Sequence, residues 1–392
     1  METPIHTLEQ LRADLPITRS FAYLQSGSYA PVPLSTQQFM ADMTRVENEL
    51  FIGLGGKGAS SSFYQQAEEA RQTLANLLMV SATEVAWSYN TTTATRLAVR
   101  SFDWRAGDKL AITDVEHAST FVMARGIQEQ VGVTTTVIST GDGPTYRPDC
   151  LLEQLDRHLT PDHRLLILCH VANTDGRRLP VAEAVKIARA RGVKTLVDGA
   201  QTVGVFPVDV GAIGADFYSG SGHKWLMGPA GIGFLVVAQA QLPYFNPNMM
   251  PLPAPNEMLT ASGRAELGTA NHVLRLGTAY SIATLQQIGV GQIEERVRTL
   301  TQQLREGVRA IPGVCNAGPD DWELSSGITT LKIADGSPTR VQKLVECLRE
   351  QYQIVTKFRP EVCGVRVSIA AFNTAEEIDR LLRVLPQALS AI

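Results

Sequence analysis

Lys224 in Ser219-Gly220-Ser221-Gly222-His223-Lys224-Trp225 and Asp198 in Val197-Asp198-Gly199-Ala200-Gln201 are the residues best suited to act together. A neutral lysine amine condenses with an aldehyde, and an aspartate keeps a heterocyclic nitrogen protonated. His223 and Ser221, one and three residues before the lysine, are placed to grip a phosphate. Lysine, aspartate and phosphate donors are the protein parts that a pyridoxal phosphate (PLP) site requires. Each segment also has a plainer reading alone. A lysine after Gly-His suits a solvated surface, and an aspartate after a strand suits a helix N-cap.

Further residues fit the same chemistry. Asn90-Thr91-Thr92-Thr93 precedes an apolar helical pattern at Leu97, Ala98 and Val99. Hydroxyls and free N–H groups at a helix N-terminus form a phosphate site, and Thr92 and Thr93 are the candidates there. Thr278 is a further candidate phosphate contact. His117, just beyond the apolar Leu110-Ala111-Ile112, suits stacking on an aromatic ring or moving a proton, and equally suits a structural histidine. Gly220, Gly222 and Gly228 let backbone approach a ligand closely.

These residues need elements to position them. Apolar runs at 110–113, 135–138, 165–168, 195–197 and 232–237 predict buried strands of a mostly parallel sheet. Helical patterns fall between them, at 63–77 and 181–190, which predicts an α/β architecture. The proline-, asparagine- and methionine-rich stretch 244–261 predicts a long irregular loop. Beyond about Leu285 a helix at 293–311, strands at 327–331 and 365–369, and helices at 340–350 and 375–389 predict a small α+β unit. The expected division is a large domain at 16–285 and a small domain made of 1–15 and 286–392.

A chain of 392 residues with 44% hydrophobic and 19% charged residues predicts an ordinary globular protein. A net charge of −4 gives no electrostatic reason for nucleic acid as a partner. The five cysteines form no Cys-x-x-Cys pair, which predicts neither a disulfide framework nor a metal site. Together with an N-terminus unlike a signal peptide and apolar runs too short for a bilayer, they predict a cytoplasmic protein without a membrane partner. Gly53-Leu54-Gly55-Gly56-Lys57-Gly58 lacks P-loop spacing. Gly228-Pro229-Ala230-Gly231-Ile232-Gly233 precedes a strand rather than following one, the wrong context for a dinucleotide.

The Val-Asp-Gly-Ala-Gln and Ser-Gly-His-Lys motifs, in this order and spacing, resemble the class V aminotransferase group of fold-type I PLP enzymes. That group includes cysteine desulfurases, cystine C–S lyases and isopenicillin N epimerase-like proteins. The resemblance covers nearly the whole chain and implies a mostly parallel seven-stranded large domain, a small α+β domain and a homodimer. It implies that Lys224 forms the Schiff base and that Asp198 partners the pyridine nitrogen. Asn173 and Gln201 would lie near the phenolic oxygen, and His117 would stack on the ring. Thr92, Thr93, Ser221 and His223 would hold the phosphate, with Thr278 reaching in from the other subunit. Arg366 would clamp the substrate carboxylate, and Gln25, Ser28, Tyr29 and the loop 53–60 would face the substrate. Lys357 and Arg359 fit a second anionic group on the substrate, and equally fit solvated charges.

Desulfurases in this group carry a nucleophilic cysteine on a loop before the carboxylate-binding arginine. Here Cys363 stands three residues before Arg366 and does not match that loop. The expectation is therefore β-elimination from cysteine, cystine or an S-substituted cysteine, giving aminoacrylate (then pyruvate and ammonia) and a sulfur product. Transamination or epimerisation at the α-carbon is the alternative.

Overall fold

The computed structural model describes residues 5–49, 59–249 and 259–392. Residues 53–58 and residues 250–258 of the proline-rich stretch 244–261 lie outside the described residues, and with them part of the expected substrate loop.

The large sheet has seven strands in the order Val85–Ser88, Gly233–Val237, Phe217–Ser221, Lys194–Asp198, His163–Cys169, Lys109–Thr113, Thr134–Ile138. Gly233–Val237 runs antiparallel to both of its neighbours, and the remaining pairings are parallel. The strands are apolar on both faces because both are covered. Leu110, Ile112, Leu165, Ile167, Leu196 and Phe217 pack into one core. Their alternates Ala111, Leu166, Leu168, Val197 and Tyr218 pack into another. Parallel strands joined by helices direct their C-terminal ends to one edge, where ligands of open α/β sheets bind.

A second, smaller sheet is antiparallel in the order Lys357–Arg359, Gly364–Ser368, Ile328–Ile333, Val314–Asn316. Helices Val290–Val308, Pro338–Tyr352 and Ala375–Ser390 cover it with Leu300, Leu304, Leu344, Leu348, Leu381 and Leu385. The N-terminal segment crosses between the cores. Leu11 and Leu15 are buried in the large one, whereas Ala22 and Leu24 are buried in the small one. Ala22–Tyr23 pairs in parallel with Ile354–Val355, and Gln25 bridges to Ser368. That crossing brings Gly27 and Ser28 to the seam between the two cores. Among the described residues, no helix is long and apolar enough to cross a membrane.

Candidate active site

A cavity of about 400 Å³ opens at the C-terminal edge of the large sheet. The ends of five strands and the turns after them build it: Thr91 and Thr92 after Val85–Ser88, His117 after Lys109–Thr113, Asn173 after His163–Cys169, Asp198 ending its strand, and Lys224 after Phe217–Ser221. The smaller sheet closes the other side with Lys357, Arg359 and Arg366.

Asp198 faces the cavity and accepts a hydrogen bond from Ala200 N–H at 2.8 Å. The Asp-Gly sequence is required here because a Cβ on Gly199 would lie 2.2 Å from the Tyr218 ring. The Asp198 backbone runs flush against the neighbouring strand, with Gly199 N–H donating to Ser219 O. Lys224 comes on the adjoining turn and is half-buried at the cavity. Burial lowers its pKa to about 8, opposed by Asp198 and assisted by Arg366 and Arg359. Disfavouring the ammonium in this way amounts to about 3 kcal/mol.

His117 is the N-cap of Ala118–Val131, and its Nδ1 accepts the Ser119 N–H at 3.2 Å. That bond orients the ring, and desolvation at the cavity, followed by the Lys224 charge, lowers its pKa although the residue is partly exposed. Glu116, beside it, is buried; desolvation raises its carboxyl to about 8 while Thr113 Oγ1 and Cys169 N–H donate to it.

At the opposite end, Thr91 N–H and hydroxyl both meet Ser221 Oγ, at 3.2 and 2.5 Å. Asn90 caps the helix Thr91–Arg100, and Asn90, Thr91 and Thr92 at its start line the cavity. The buried His223 Nδ1 has no hydrogen-bond partner among the described residues, and burial drops its pKa to about 4.

The arginine side is equally ordered. Arg366 donates to Asn173 O at 2.9 Å and Ser28 Oγ at 2.5 Å, while its buried Nε has no partner among the described residues. Gln201 is clamped between Gly27 O and Trp225 Nε1, each at 2.9 Å.

The structure therefore brings Lys224, Asp198, His117, Asn173, Gln201, Ser221, His223, Thr92, Arg366 and Ser28 to one cavity. Four expected residues lie outside its lining, Thr93, Thr278, Gln25 and Tyr29. Thr93 completes the capping box with Asn90 and faces a separate cavity of about 1010 Å³. Thr278 is buried at 1% exposure, with its hydroxyl bonded to Leu274 O at 2.8 Å. It packs under Gly222 and Gly228 of its own chain. Gln25 is held by its backbone bridge to Ser368 and does not line the cavity. Tyr29 is exposed, its ring 5.5 Å from His223. Thr91, Ser119 and Cys169 line the cavity in addition to the expected set. Thr91 carries a sequence signal: it begins the helix, and the first residues of a helix present their donors to what lies beyond its end.

The match to known families agrees with this geometry. The family model described as Aminotransferase class-V matches residues 52–381. The chain belongs to the class-V aminotransferase family. A cysteine desulfurase of Klebsiella pneumoniae (strain 342) is 31% identical, over 96% of this chain and 97% of the relative. An isopenicillin N epimerase of Streptomyces clavuligerus is also 31% identical, over 96% and 97%. The solved structure of a cystine C–S lyase with its reaction product cysteine persulfide has a TM-score of 0.83 and 25% identity, covering 95% of this chain and 99% of that one. This class-V aminotransferase chain has the PLP fold-type I architecture, and PLP is its cofactor. The residues present fit it: a lysine with a depressed pKa, a carboxylate at a strand end, and an unpartnered buried His223 Nδ1 beside a helix N-terminus.

The lysine alone sets a pH dependence. Only the neutral amine adds to an aldehyde, so capture of PLP by the cofactor-free protein should accelerate with pH. The expected slope is about tenfold per pH unit on the acid side of about 8, flattening above it. The sign comes from the depressed value: the folded state gives up this proton more readily than an unfolded lysine near 10.5. Stopped-flow absorbance checks it, and a flat profile from about pH 6 to 9 would contradict it.

Proposed function

We propose that this protein is a carbon–sulfur lyase that eliminates the β-sulfur group of cystine or an S-substituted cysteine. When bound, PLP supplies an electron sink for negative charge developing at the substrate α-carbon. Lys224 would bond the cofactor aldehyde, and Asp198 would keep the ring nitrogen protonated. Thr91, Thr92, Ser221 and His223 would hold the phosphate, and His117 would lie against the ring. Arg366 takes the α-carboxylate in its planar fork, and Ser28 and Asn173 hold that fork in place. The freed Lys224 amine would receive the α-proton on Nζ; a pKa near 8 makes it an effective base near neutrality. The C–S bond breaks with its electron pair leaving on sulfur, and water releases the remainder as pyruvate and ammonia.

The observation that carries elimination over desulfuration is the hairpin before Arg366. Lys357–Arg359 turns directly into Gly364–Ser368 through Pro360–Val362 and Cys363. Cys363 sits in the turn in a left-handed conformation, φ 46°, with its thiol over Pro360 O at 3.7 Å. It does not line the cavity, and so tight a turn has no length to carry a thiol to a substrate. Cys363→Ser is expected to keep pyruvate release within about twofold of wild type, since it removes no contact to the reacting atoms. Pyruvate and ammonia should appear in equal amounts from cystine or S-substituted cysteines. If no such substrate yields pyruvate, the lyase reading is wrong.

A further inference from the structure

The same hairpin places two more cations against the substrate. Residues alternate faces along a strand, so Lys357 and Arg359 share a side. Lys357 is the register partner of Arg366, which puts all three on one face, and all three line the cavity. Arg359 donates to Asn173 Oδ1, the same residue whose backbone carbonyl accepts from Arg366. Asn173 therefore bridges the two guanidinium groups with neutral acceptors.

Their charge is poorly compensated. The ion partner of Arg359 is Glu361 at 3.0 Å, and that carboxylate is 47% exposed while Arg359 is 14% exposed. Nε of Arg359 and Nε of Arg366 are both buried without a hydrogen-bond partner among the described residues. Asp198 is the one carboxylate among the described residues lining the cavity. Burial lowers the pKa of both arginines, and their mutual repulsion contributes at Arg366. Buried cations facing donors and neutral acceptors are costly unless an anion arrives. One α-carboxylate satisfies Arg366 and leaves Arg359 with only the half-exposed Glu361, and Lys357 with no described carboxylate across the cavity but Asp198.

We propose that Arg359 and Lys357 form a second anion subsite, selecting α-amino acids whose side chain carries a further carboxylate. Resting on the lyase reading, the substrate is a cysteine whose sulfur bears a carboxylate-containing group, as each half of cystine does for the other. The subsite is defined by the carboxylate, whichever of these sulfur compounds carries it.

The test uses unreactive anions, so it does not depend on turnover. Titrations of the wild-type holoenzyme with butyrate, succinate and glutarate at fixed ionic strength, followed by calorimetry, give the dicarboxylate-to-monocarboxylate affinity ratio. A charge-assisted pair at the second site predicts a ratio of roughly tenfold or more. In R359Q and K357Q that ratio should fall toward one. A wild-type ratio within about twofold, or a ratio kept in both variants, overturns the proposal. If R359Q loses its bound cofactor through misfolding, K357Q decides the question, because Lys357 is exposed on the outer strand. Absence of pyruvate would end the lyase reading while leaving this ratio to stand or fall separately.

Discussion

Lys224→Ala is expected to abolish turnover, by roughly 10⁴-fold, the upper end of what a positioned proton-transfer group contributes. The reason is that one side chain does two things. Its amine bonds the cofactor aldehyde and, once freed, is the base nearest the substrate α-carbon. Removing it leaves the Thr91, Ser221 and His223 end of the cavity intact, so PLP still binds but washes out on dialysis. The fold should persist, because the Lys224 side chain makes no hydrogen bond that holds an element, and removing a half-buried cation relieves a desolvation cost. Circular dichroism unchanged from wild type, with the bound-cofactor absorbance lost, is the expected pairing. Partial rescue by a small exogenous amine would separate lost chemistry from lost structure. A variant keeping a tenth of wild-type activity would remove Lys224 from the reaction.

Asp198→Ala gives the second-largest effect with a different signature. Lys224 still bonds the cofactor, so the colour remains. The ring nitrogen loses the charge that keeps its proton, and turnover should fall by about 10²- to 10³-fold, as for a single electrostatic group preorganised in an active site. The substitution also frees the Ala200 N–H from its acceptor, at a cost of about 1 kcal/mol. Asp198 is the group that supports the Lys224 ammonium, so its loss moves the lysine further below about 8. The midpoint of the cofactor-capture profile should therefore shift to lower pH in this variant. Asp198→Asn, similar in shape and uncharged, should share both effects. Retention of full rate with either variant would show that Asp198 only caps its turn.

The sheet was legible because buried parallel strands write themselves as unbroken apolar runs. Leu165-Leu166-Ile167-Leu168 is apolar throughout since its residues feed cores on both faces. Asp198 was legible for the same reason, because it ends such a run, whereas Lys224 was legible from its Ser-Gly-Ser-Gly-His-Lys motif, since Phe217–Ser221 is too polar to read as a buried strand. Side chains on helices were harder. Three consecutive threonines at 91–93 give no phase until the helix start is known. Asn90 as N-cap turns Thr93 back onto the cap and sends Thr91 to Ser221. Thr278 sits on the buried side of His272–Ile288, a fact its local sequence does not distinguish from the exposed side. Lys357 and Arg359 had open readings because their placement depends on register. A one-residue slip of that hairpin would turn both outward. The N-terminal crossing, with Leu15 in one core and Ala22 in the other, left no pattern short enough to read.

Elimination parts from its rivals after the C–S bond breaks without a cysteine acceptor, and product analysis of a single turnover distinguishes them most directly. Holoenzyme is mixed with an S-substituted cysteine in less than equimolar amount. The carbon product is then identified while the cofactor absorbance is monitored. The prediction is pyruvate and ammonia, one each per sulfur released, with the aldehyde form of the cofactor restored. Alanine as the carbon product, or a keto acid that retains the sulfur group and leaves the cofactor in its amine form, would contradict it.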